Sequence, residues 1–168
     1  MWVGGVRVIL TNEKNEILMI RLEHKERTIW LVPGGAIEDG ENSIEAAIRE
    51  VKEETHLDIE ITGVAWHVEE VSQERGQRFV NYMIGKIVGG ELALGYDPEL
   101  PEMKQIMREV RFLSREELAE LPHVYPSFLN DEVWDVLNGT ADPRNSYKLR
   151  EPWNTDGYMK DKKGRESK

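Results

Sequence analysis

Residues 30–57, WLVPGGAIEDGENSIEAAIREVKEETHL, form the stretch of this 168-residue chain that decides its fold. The Pro-Gly-Gly at 33–35 follows a short apolar run and predicts that a strand ends there in a turn. Asn42, followed three residues later by Glu45, is typical of the capping box that starts a helix. The apolar residues after it repeat at the i, i+3, i+4, i+7 spacing of an amphipathic helix, and they are Ile44, Ala47, Ile48 and Val51. We therefore predict a strand, a glycine turn and a helix that ends near residues 55–56.

The same helix carries three glutamates on one side. At about 100° per residue, Glu53 and Glu54 fall within about 60° of Glu50, whereas the apolar residues lie on a different face. Like charges at this spacing repel one another. Clustered carboxylates either raise their own pKa values or recruit a cation, and all-oxygen ligands suit Mg²⁺, Mn²⁺ or Ca²⁺. A metal site and a plain solvated face are the two interpretations of this stripe.

Composition excludes several classes of protein. The chain has no cysteine, so disulfides, thiolate zinc sites and cysteine nucleophiles are ruled out. No apolar run approaches the roughly 18 residues of a membrane span, and we expect a cytoplasmic protein with no membrane partner. The net charge of −10 disfavours nucleic acid as a partner, because a phosphate backbone requires a basic face. Nine acidic residues against two basic ones lie within residues 38–60.

Further strands and helices are predicted on both sides of the central stretch. Apolar segments indicate strands at residues 3–10, 16–22, 59–71 and 77–88, with a short one at 91–94 after a turn. The polar segment 11–15 would join the first two strands as a hairpin or an adjacent pair. Ser114 and Ser127 are expected to cap helices that end near Leu121 and Asn138. Strands before and between helices favour a mixed α/β sandwich.

The C-terminal segment differs from the rest. Residues 140–168 show no sustained periodicity, and the charged stretch 160–165 is expected to be disordered. The aromatic residues Tyr147, Trp153 and Tyr158 nevertheless favour docking of part of this tail on the body or on a second subunit. We therefore expect one domain at residues 1–139 followed by a tail at 140–168, with a homodimer as an open alternative.

The central stretch resembles the Nudix box, G-x5-E-x7-R-E-U-x-E-E-x-G-U, in which U is a bulky aliphatic residue. His56 stands where the pattern has its second glycine. The other eight defined positions are filled by Gly35, Glu41, Arg49, Glu50, Val51, Glu53, Glu54 and Leu57. The order of elements over about residues 3–138 is also similar to that of the MutT-like Nudix hydrolases. The resemblance implies a Nudix-fold α/β/α sandwich with a mixed β-sheet.

The resemblance also implies a reaction, the hydrolysis of a pyrophosphate linkage in a nucleoside diphosphate derivative with Mg²⁺ or Mn²⁺. The expected metal ligands are Glu50, Glu53, Glu54 and the carbonyl of Gly35. Glu53 and Glu50 are the candidates in the box for the general base, and Arg49 is expected to orient the acids. Glu41 would either bind metal through water or hold the loop against the helix. At His56 we expect either a left-handed conformation that ends the helix or a different kind of helix end, and in neither case a part in the chemistry.

Residues outside the box complete the expected site. Some similar proteins take their base from a later loop, for which the candidates here are Asp97, Glu99, Glu102 and Glu109. Arg21 is the first candidate for binding a substrate phosphate, because similar proteins carry an arginine there, and Arg7 is the second. An exposed strand position without function is the alternative for both arginines.

The substrate is predicted by elimination. Similar enzymes that act on ADP-ribose carry a proline about sixteen residues after the box, near Gln73 here, and none lies close. The tyrosine typical of enzymes acting on dinucleoside polyphosphates is absent from the same region. A nucleoside triphosphate is therefore the leading candidate. The alternatives are a non-catalytic nucleotide-binding module and a pyrophosphohydrolase of RNA 5′ ends.

Overall fold

Two β-sheets and three α-helices make up the part of the chain that this computed structural model describes, residues 4–24, 26–72, 76–95 and 106–150. The first sheet has the strand order β4-β1-β6-β5-β9. Its strands are β4 (Gly34–Ala36), β1 (Gly4–Ile9), β6 (Gly76–Gly90), β5 (Leu57–Ser72) and β9 (Tyr147–Arg150). The second has the order β7-β2-β3-β8, with Met107–Leu113, Ile17–His24, Arg27–Leu31 and Val124–Tyr125. The helices are α1 (Ser43–Thr55), α2 (Arg115–Glu120) and α3 (Glu132–Asn138).

The first sheet is mixed and is covered on both faces. Strand β1 runs parallel to β6 and antiparallel to β4, and β9 runs parallel to β5. One face packs its apolar residues on α1, through Val6, Val8, Met83, Ala47 and Val51. The other face packs on the second sheet and α3, through Ile9, Trp66, Tyr82, Met19, Trp30 and Val133. This layering confirms the predicted α/β sandwich with a mixed sheet.

The predicted pairing of the first two strands is wrong beyond the turn that joins them. Asn12 N–H donates to the Glu16 carbonyl at 3.1 Å, and Leu18 N–H donates to the Leu10 carbonyl at 2.9 Å, so the turn itself forms. The strands then separate, because β4 and β6 already occupy both edges of β1. Strand β2 instead pairs with β3 and β7 in the second sheet.

Helix α1 begins as predicted but buries a different face. Asn42 accepts hydrogen bonds from two backbone N–H groups, and Glu45 closes the capping box by accepting from the Asn42 N–H at 2.9 Å. Ile44 and Ile48, which were expected in the core, are 49% and 39% exposed. The buried positions of this helix are Ala46, Ala47, Glu50, Val51, Glu54 and Thr55. The helix is therefore rotated so that two of its three stripe glutamates face inward.

Other elements differ from the expectation toward the C-terminal end. Strand β6 runs through the predicted turn at 89–90, and residues 91–95 are not in a strand. The segment from Ser127 is a short 3₁₀ turn, and α3 begins only after Asp131, which caps it. Strands β7, β8 and β9 were not predicted. Trp153, Tyr158 and the charged stretch 160–165 lie outside the described residues.

No helix in the described part of the chain combines the length and the apolar character that crossing a membrane requires.

Candidate active site

A glycine turn and helix α1 meet at the start of the site. A Cβ atom on Gly35 would lie 2.5 Å from Oε1 and 2.7 Å from Oε2 of Glu50. At Gly34, which has a φ of 152°, a Cβ would lie 2.0 Å from the Val6 carbonyl oxygen. Only glycine lets the backbone approach its neighbours this closely. The Glu50 carboxylate therefore packs directly on the turn.

Arg49 connects the turn to the helix. Its guanidinium donates two hydrogen bonds to Glu41, at 2.6 Å from Nε and 3.0 Å from Nη2. Nη1 donates to Glu50 at 2.8 Å and to Glu53 at 3.2 Å. Nη2 also donates to the Ala36 carbonyl at 3.0 Å. One side chain thus joins the loop acid, two helix acids and the strand that carries the glycine turn.

This contact fixes the charge of Glu41. The hydrogen bond from Arg49 holds the pKa of the Glu41 carboxyl below its ordinary value, and the same bond raises the pKa of Arg49. Glu41 is therefore ionised at neutral pH and cannot serve as a proton donor there. Its geometry supports the expected role of holding the loop against the helix.

The three stripe glutamates differ in their access to solvent. Glu50 and Glu54 are 3% and 5% exposed, whereas 27% of the Glu53 side chain is exposed. The Gly34 N–H donates to Glu54 Oε1 at 3.4 Å, which is a long hydrogen bond. A buried carboxylate is stable only when it is paired or binds a metal. Glu53 is the stripe acid that can contact water.

The donor set fits a hard divalent cation in its chemistry. Three carboxylates, from Glu41, Glu50 and Glu53, accept hydrogen bonds from one guanidinium, and Glu38 lies 3.7 Å from it, so acids outnumber the base in this cluster. Among the described residues, no three acidic or histidine side chains converge on a single point as ligands would. The reason is visible in the contacts, because Glu50 and Glu53 both turn toward Arg49. The excess charge and the oxygen ligands are the properties that Mg²⁺ and Mn²⁺ sites require.

The two candidate arginines lie in different surroundings. Arg21, on β2, donates to Glu109 Oε2 at 3.0 Å and is also bonded to Glu23. Arg7, on β1, stands opposite Gly34 of β4 and donates from Nη1 to the Val32 carbonyl at 2.8 Å. The structure therefore brings Arg7 to the glycine turn, whereas Arg21 is held by two carboxylates of the second sheet.

The acids proposed as an alternative base are only partly described. Asp97, Glu99 and Glu102 lie outside the described residues. Glu109, on β7, is engaged by Arg21 and lies 3.3 Å from Arg111. The acids that the described geometry brings to the glycine turn are Glu50 and Glu54, and Glu53 is joined to Glu50 through Arg49.

Gly95 packs on the backbone of two stripe glutamates, and sequence reasoning did not identify it. Its N–H donates to the Glu54 carbonyl at 2.8 Å, and a Cβ there would lie 1.7 Å from the Glu53 carbonyl oxygen. The segment 91–95 therefore crosses the C-terminal end of α1 in direct backbone contact. A glycine outside any predicted turn was the available signal, because it indicates close backbone approach.

The departure from the box pattern at His56 has a structural explanation. His56 has a φ of 64° and a ψ of 7°, which is the left-handed conformation, the first of the two expected alternatives. Its N–H donates to the Lys52 carbonyl at 3.0 Å, which closes the helix. The histidine adopts the conformation that the usual glycine favours, and this conformation costs free energy in a residue with a side chain.

Comparisons with known proteins agree with this geometry. Residues 1–131 match the family model described as the NUDIX domain. The chain belongs to the Nudix family. The fold is shared with the MutT protein from Methanosarcina mazei Go1, at a TM-score of 0.63 and 23% identity over 82% of this chain and 95% of that one.

Two Nudix relatives have names that describe an activity. A Bacillus subtilis (strain 168) protein, whose name provisionally assigns 8-oxo-dGTP diphosphatase activity, is 42% identical over 55 residues. That match covers 33% of this chain and only 36% of the relative's length. An RNA pyrophosphohydrolase from Pelagibacter ubique (strain HTCC1062) is 22% identical over 157 residues, which are 80% of this chain and 93% of that protein.

Proposed function

We propose that this Nudix protein hydrolyses the pyrophosphate linkage of a nucleoside diphosphate derivative and uses Mg²⁺ or Mn²⁺. The observation that carries the proposal is the Arg49-centred cluster of carboxylates packed against the Gly35 turn. A structural ion pair needs one acid for one base. Here Glu41, Glu50 and Glu53 accept hydrogen bonds from one guanidinium and Glu38 lies 3.7 Å from it, so an anionic substrate would be repelled unless a cation compensated the charge.

We assign each residue of the cluster a role that its surroundings support. Glu50, Glu53, Glu54 and the Gly35 carbonyl would hold the metal, which supplies charge neutralisation of the phosphates and a more acidic water. Glu53 is the candidate general base, because its carboxylate is the stripe group that water can reach. It would take the proton of the water while a new P–O bond forms and the P–O–P linkage breaks. Arg49 and Glu41 position the helix acids relative to the turn.

A nucleoside triphosphate is the proposed substrate. The similarity to a protein named for 8-oxo-dGTP diphosphatase activity supports this choice, as does the lack of the sequence features expected for ADP-ribose and dinucleoside polyphosphates. The attack would release a nucleoside monophosphate and pyrophosphate. The reaction needs water as its only co-reactant.

A triphosphorylated RNA 5′ end is the second candidate. A relative named as an RNA pyrophosphohydrolase aligns with 80% of this chain. The net charge of −10 opposes it, because an RNA chain adds many phosphates that a basic face would have to bind. The RNA end and the free nucleotide carry the same reacting group, so a direct comparison can separate them.

The test is a product screen with purified protein and Mg²⁺ or Mn²⁺. The panel contains nucleoside triphosphates, including 8-oxo-dGTP, together with nucleotide sugars, dinucleoside polyphosphates and a 5′-triphosphorylated oligoribonucleotide. The products are separated by chromatography. We expect monophosphate and pyrophosphate from a nucleoside triphosphate, at a higher kcat/KM than for the oligoribonucleotide. Tight nucleotide binding without turnover of any compound would instead identify a non-catalytic module.

A further inference from the structure

Arg78 is a second arginine close to the glycine turn, and sequence reasoning did not identify it. It lies on β6 two residues before Val80, and Val80 and Tyr82 face the core between the two sheets. Because side chains alternate along a strand, Arg78 lies on this same face of the first sheet. A Cβ atom on Gly5 of β1 would lie 3.3 Å from Arg78 Nη2 and 3.4 Å from the Gly35 carbonyl oxygen. The guanidinium is therefore within about 7 Å of the Gly35 carbonyl.

Gly5 provides the room for this approach. It is not among the glycines with positive φ, so its backbone conformation does not require glycine. A side chain there would meet Arg78 Nη2 at 3.3 Å, with the Gly35 carbonyl oxygen and Val80 Cγ2 at 3.4 Å. The space at Gly5 is thus bordered by the guanidinium, the glycine turn and the sheet core.

Glu70 is placed to orient Arg78. The two residues are directly opposite each other in the antiparallel pair β5–β6, and Glu70 is 4% exposed. Opposite charges at such a cross-strand pair attract, with Cβ atoms about 5 Å apart. A buried acid beside the guanidinium restricts where the guanidinium can move.

Arg7 and Arg78 both flank Gly5 on this face. Arg7 is two residues after Gly5 on β1 and lies opposite Tyr82 of β6. Together the two arginines provide positive charge on the sheet side of the glycine turn, while the glutamate stripe provides negative charge on its helix side. A phosphate chain that contacts the Gly35 turn would pass between the two.

We propose that Arg78 binds a phosphate oxygen of the substrate, and that Glu70 is its positioning residue. The inference rests on the proposed function, since it assigns a substrate contact to that reaction. A guanidinium is suited to this contact because its planar donors match two phosphate oxygens. Arg78 and Arg7, rather than Arg21, are the arginines that the described geometry brings to the glycine turn.

The test compares KM and kcat of Arg78→Ala and Arg78→Lys with those of the wild type on its best nucleotide. We expect Arg78→Ala to raise KM by about tenfold to a hundredfold and to change kcat by less than about threefold. Arg78→Lys should recover part of the loss. Arg144→Ala, which removes an exposed arginine paired with Asp142, serves as the control and should leave KM unchanged.

Gly5→Ala tests the position of the guanidinium. The methyl group should displace Nη2 and raise KM a few-fold in the wild type, with no further effect in the Arg78→Ala background. Equal effects in both backgrounds, or an unchanged KM in Arg78→Ala, would overturn the proposal.

Loss of folding must be separated from loss of binding. Arg78→Ala leaves the buried Glu70 without this neighbour, so the double variant Glu70→Gln/Arg78→Gln removes both charges together. It should melt near the wild-type temperature and still show the raised KM. If KM returned to the wild-type value in this variant, Arg78 would be structural.

A binding measurement distinguishes failure of this proposal from failure of the proposed function. Calorimetry with the α,β-methylene analogue of ATP and Mg²⁺ reports binding without hydrolysis. If the wild type binds the analogue but hydrolyses nothing, the proposed function fails, and a tenfold weaker Kd in Arg78→Ala still supports this contact. An unchanged Kd in Arg78→Ala contradicts it.

Discussion

Glu50 and Glu53 are three residues apart on one helix, yet the structure gives them different chemical possibilities. The Glu50 carboxylate is buried against the backbone of Gly35, whereas more than a quarter of the Glu53 side chain is exposed. Both accept from Nη1 of Arg49. Burial suits Glu50 to holding an ion at a fixed place, and exposure suits Glu53 to exchanging a proton with water.

We expect Glu53→Gln to lower kcat by at least about a hundredfold, the usual effect of losing a general base. The melting temperature without metal should stay level or rise, because repulsion within the stripe decreases. Glu60→Gln, at an exposed position of β5, is the matched control and should keep wild-type kcat. Near-native turnover in Glu53→Gln would place the base elsewhere.

Gly35→Ala tests the close contact between the turn and the helix. The new methyl group would overlap the Glu50 carboxylate, so the helix acid or the turn must move. We expect a loss of about 1–3 kcal/mol in the free energy of unfolding and a fall in kcat/KM of at least about tenfold. Gly63→Ala is the control, because a Cβ there meets no atom within 4 Å. Equal behaviour of the two variants in urea denaturation and in assays would contradict the packing argument.

His56→Gly should be a stabilising change with no effect on chemistry. Glycine relieves the cost of a φ of 64°, and its greater freedom in the unfolded chain offsets part of the gain. We expect a gain of a few tenths to about 1 kcal/mol, measured by thermal denaturation, with kcat/KM within about threefold. A large loss of activity at unchanged stability would show that His56 contacts substrate or metal.

At the scale of elements, the predictable parts are those with local signals. The capping box at Asn42 and the end of α1 at His56 follow from a few neighbouring residues, and both are found. Which face of α1 is buried does not follow from neighbouring residues alone. Ile44 and Ile48 fit a core pattern, but the glycine turn packs on the glutamate side and turns them outward. Sequence periodicity assumes that apolar residues determine which helix face is buried, and here the contact between the glutamates and the glycine turn determines it.

The strand pairing of the second sheet could not be predicted from the sequence either, because it too depends on residues distant in the chain. Strands β1 and β2 are joined by a short turn, and a hairpin is the ordinary result of such a turn. The two edges of β1 are taken by β4 and β6, and neither of these strands is adjacent to β1 in the sequence. Strand β2 therefore cannot pair along β1. The same limit applies to β9, whose partner β5 is about 80 residues away.

Arg21 and Arg7 stay predictions as phosphate-binding residues. Of these two, Arg7 borders the glycine turn.

The contact between Glu41 and Arg49 links the turn to α1 and should depend on pH. The pKa of Glu41 is lowered in the folded state, so its contribution to stability is present at neutral pH. That contribution is lost as the pH falls below the ordinary value of 4.5 and through the lowered value. Glu41→Gln should therefore cost about 1 kcal/mol at pH 7 and progressively less in acid. Urea denaturation between pH 7 and pH 3 measures both curves, and a constant difference would contradict this linkage.

At the scale of the whole molecule, the charge distribution supports the proposal of a small anionic ligand held through a cation. The chain carries a net charge of −10, and nine of its acidic residues lie within residues 38–60, in or beside the box. A phosphate chain would be repelled by this surface unless a divalent ion and nearby arginines compensated it. The first sheet places the glycine turn of β4 beside Arg7 of β1 and Arg78 of β6, which agrees with the proposed function.

The most direct test of this account is the shift in melting temperature that Mg²⁺ or Mn²⁺ produces in two proteins. The first is the wild type, and the second is the triple variant Glu50→Gln, Glu53→Gln, Glu54→Gln. A metal bound only by the folded state stabilises it by about 2.7 kcal/mol at a hundred times its Kd. We expect a clear rise in melting temperature for the wild type and little or none for the variant. Equal shifts in the two proteins would show that the glutamate stripe is a solvated face and holds no metal.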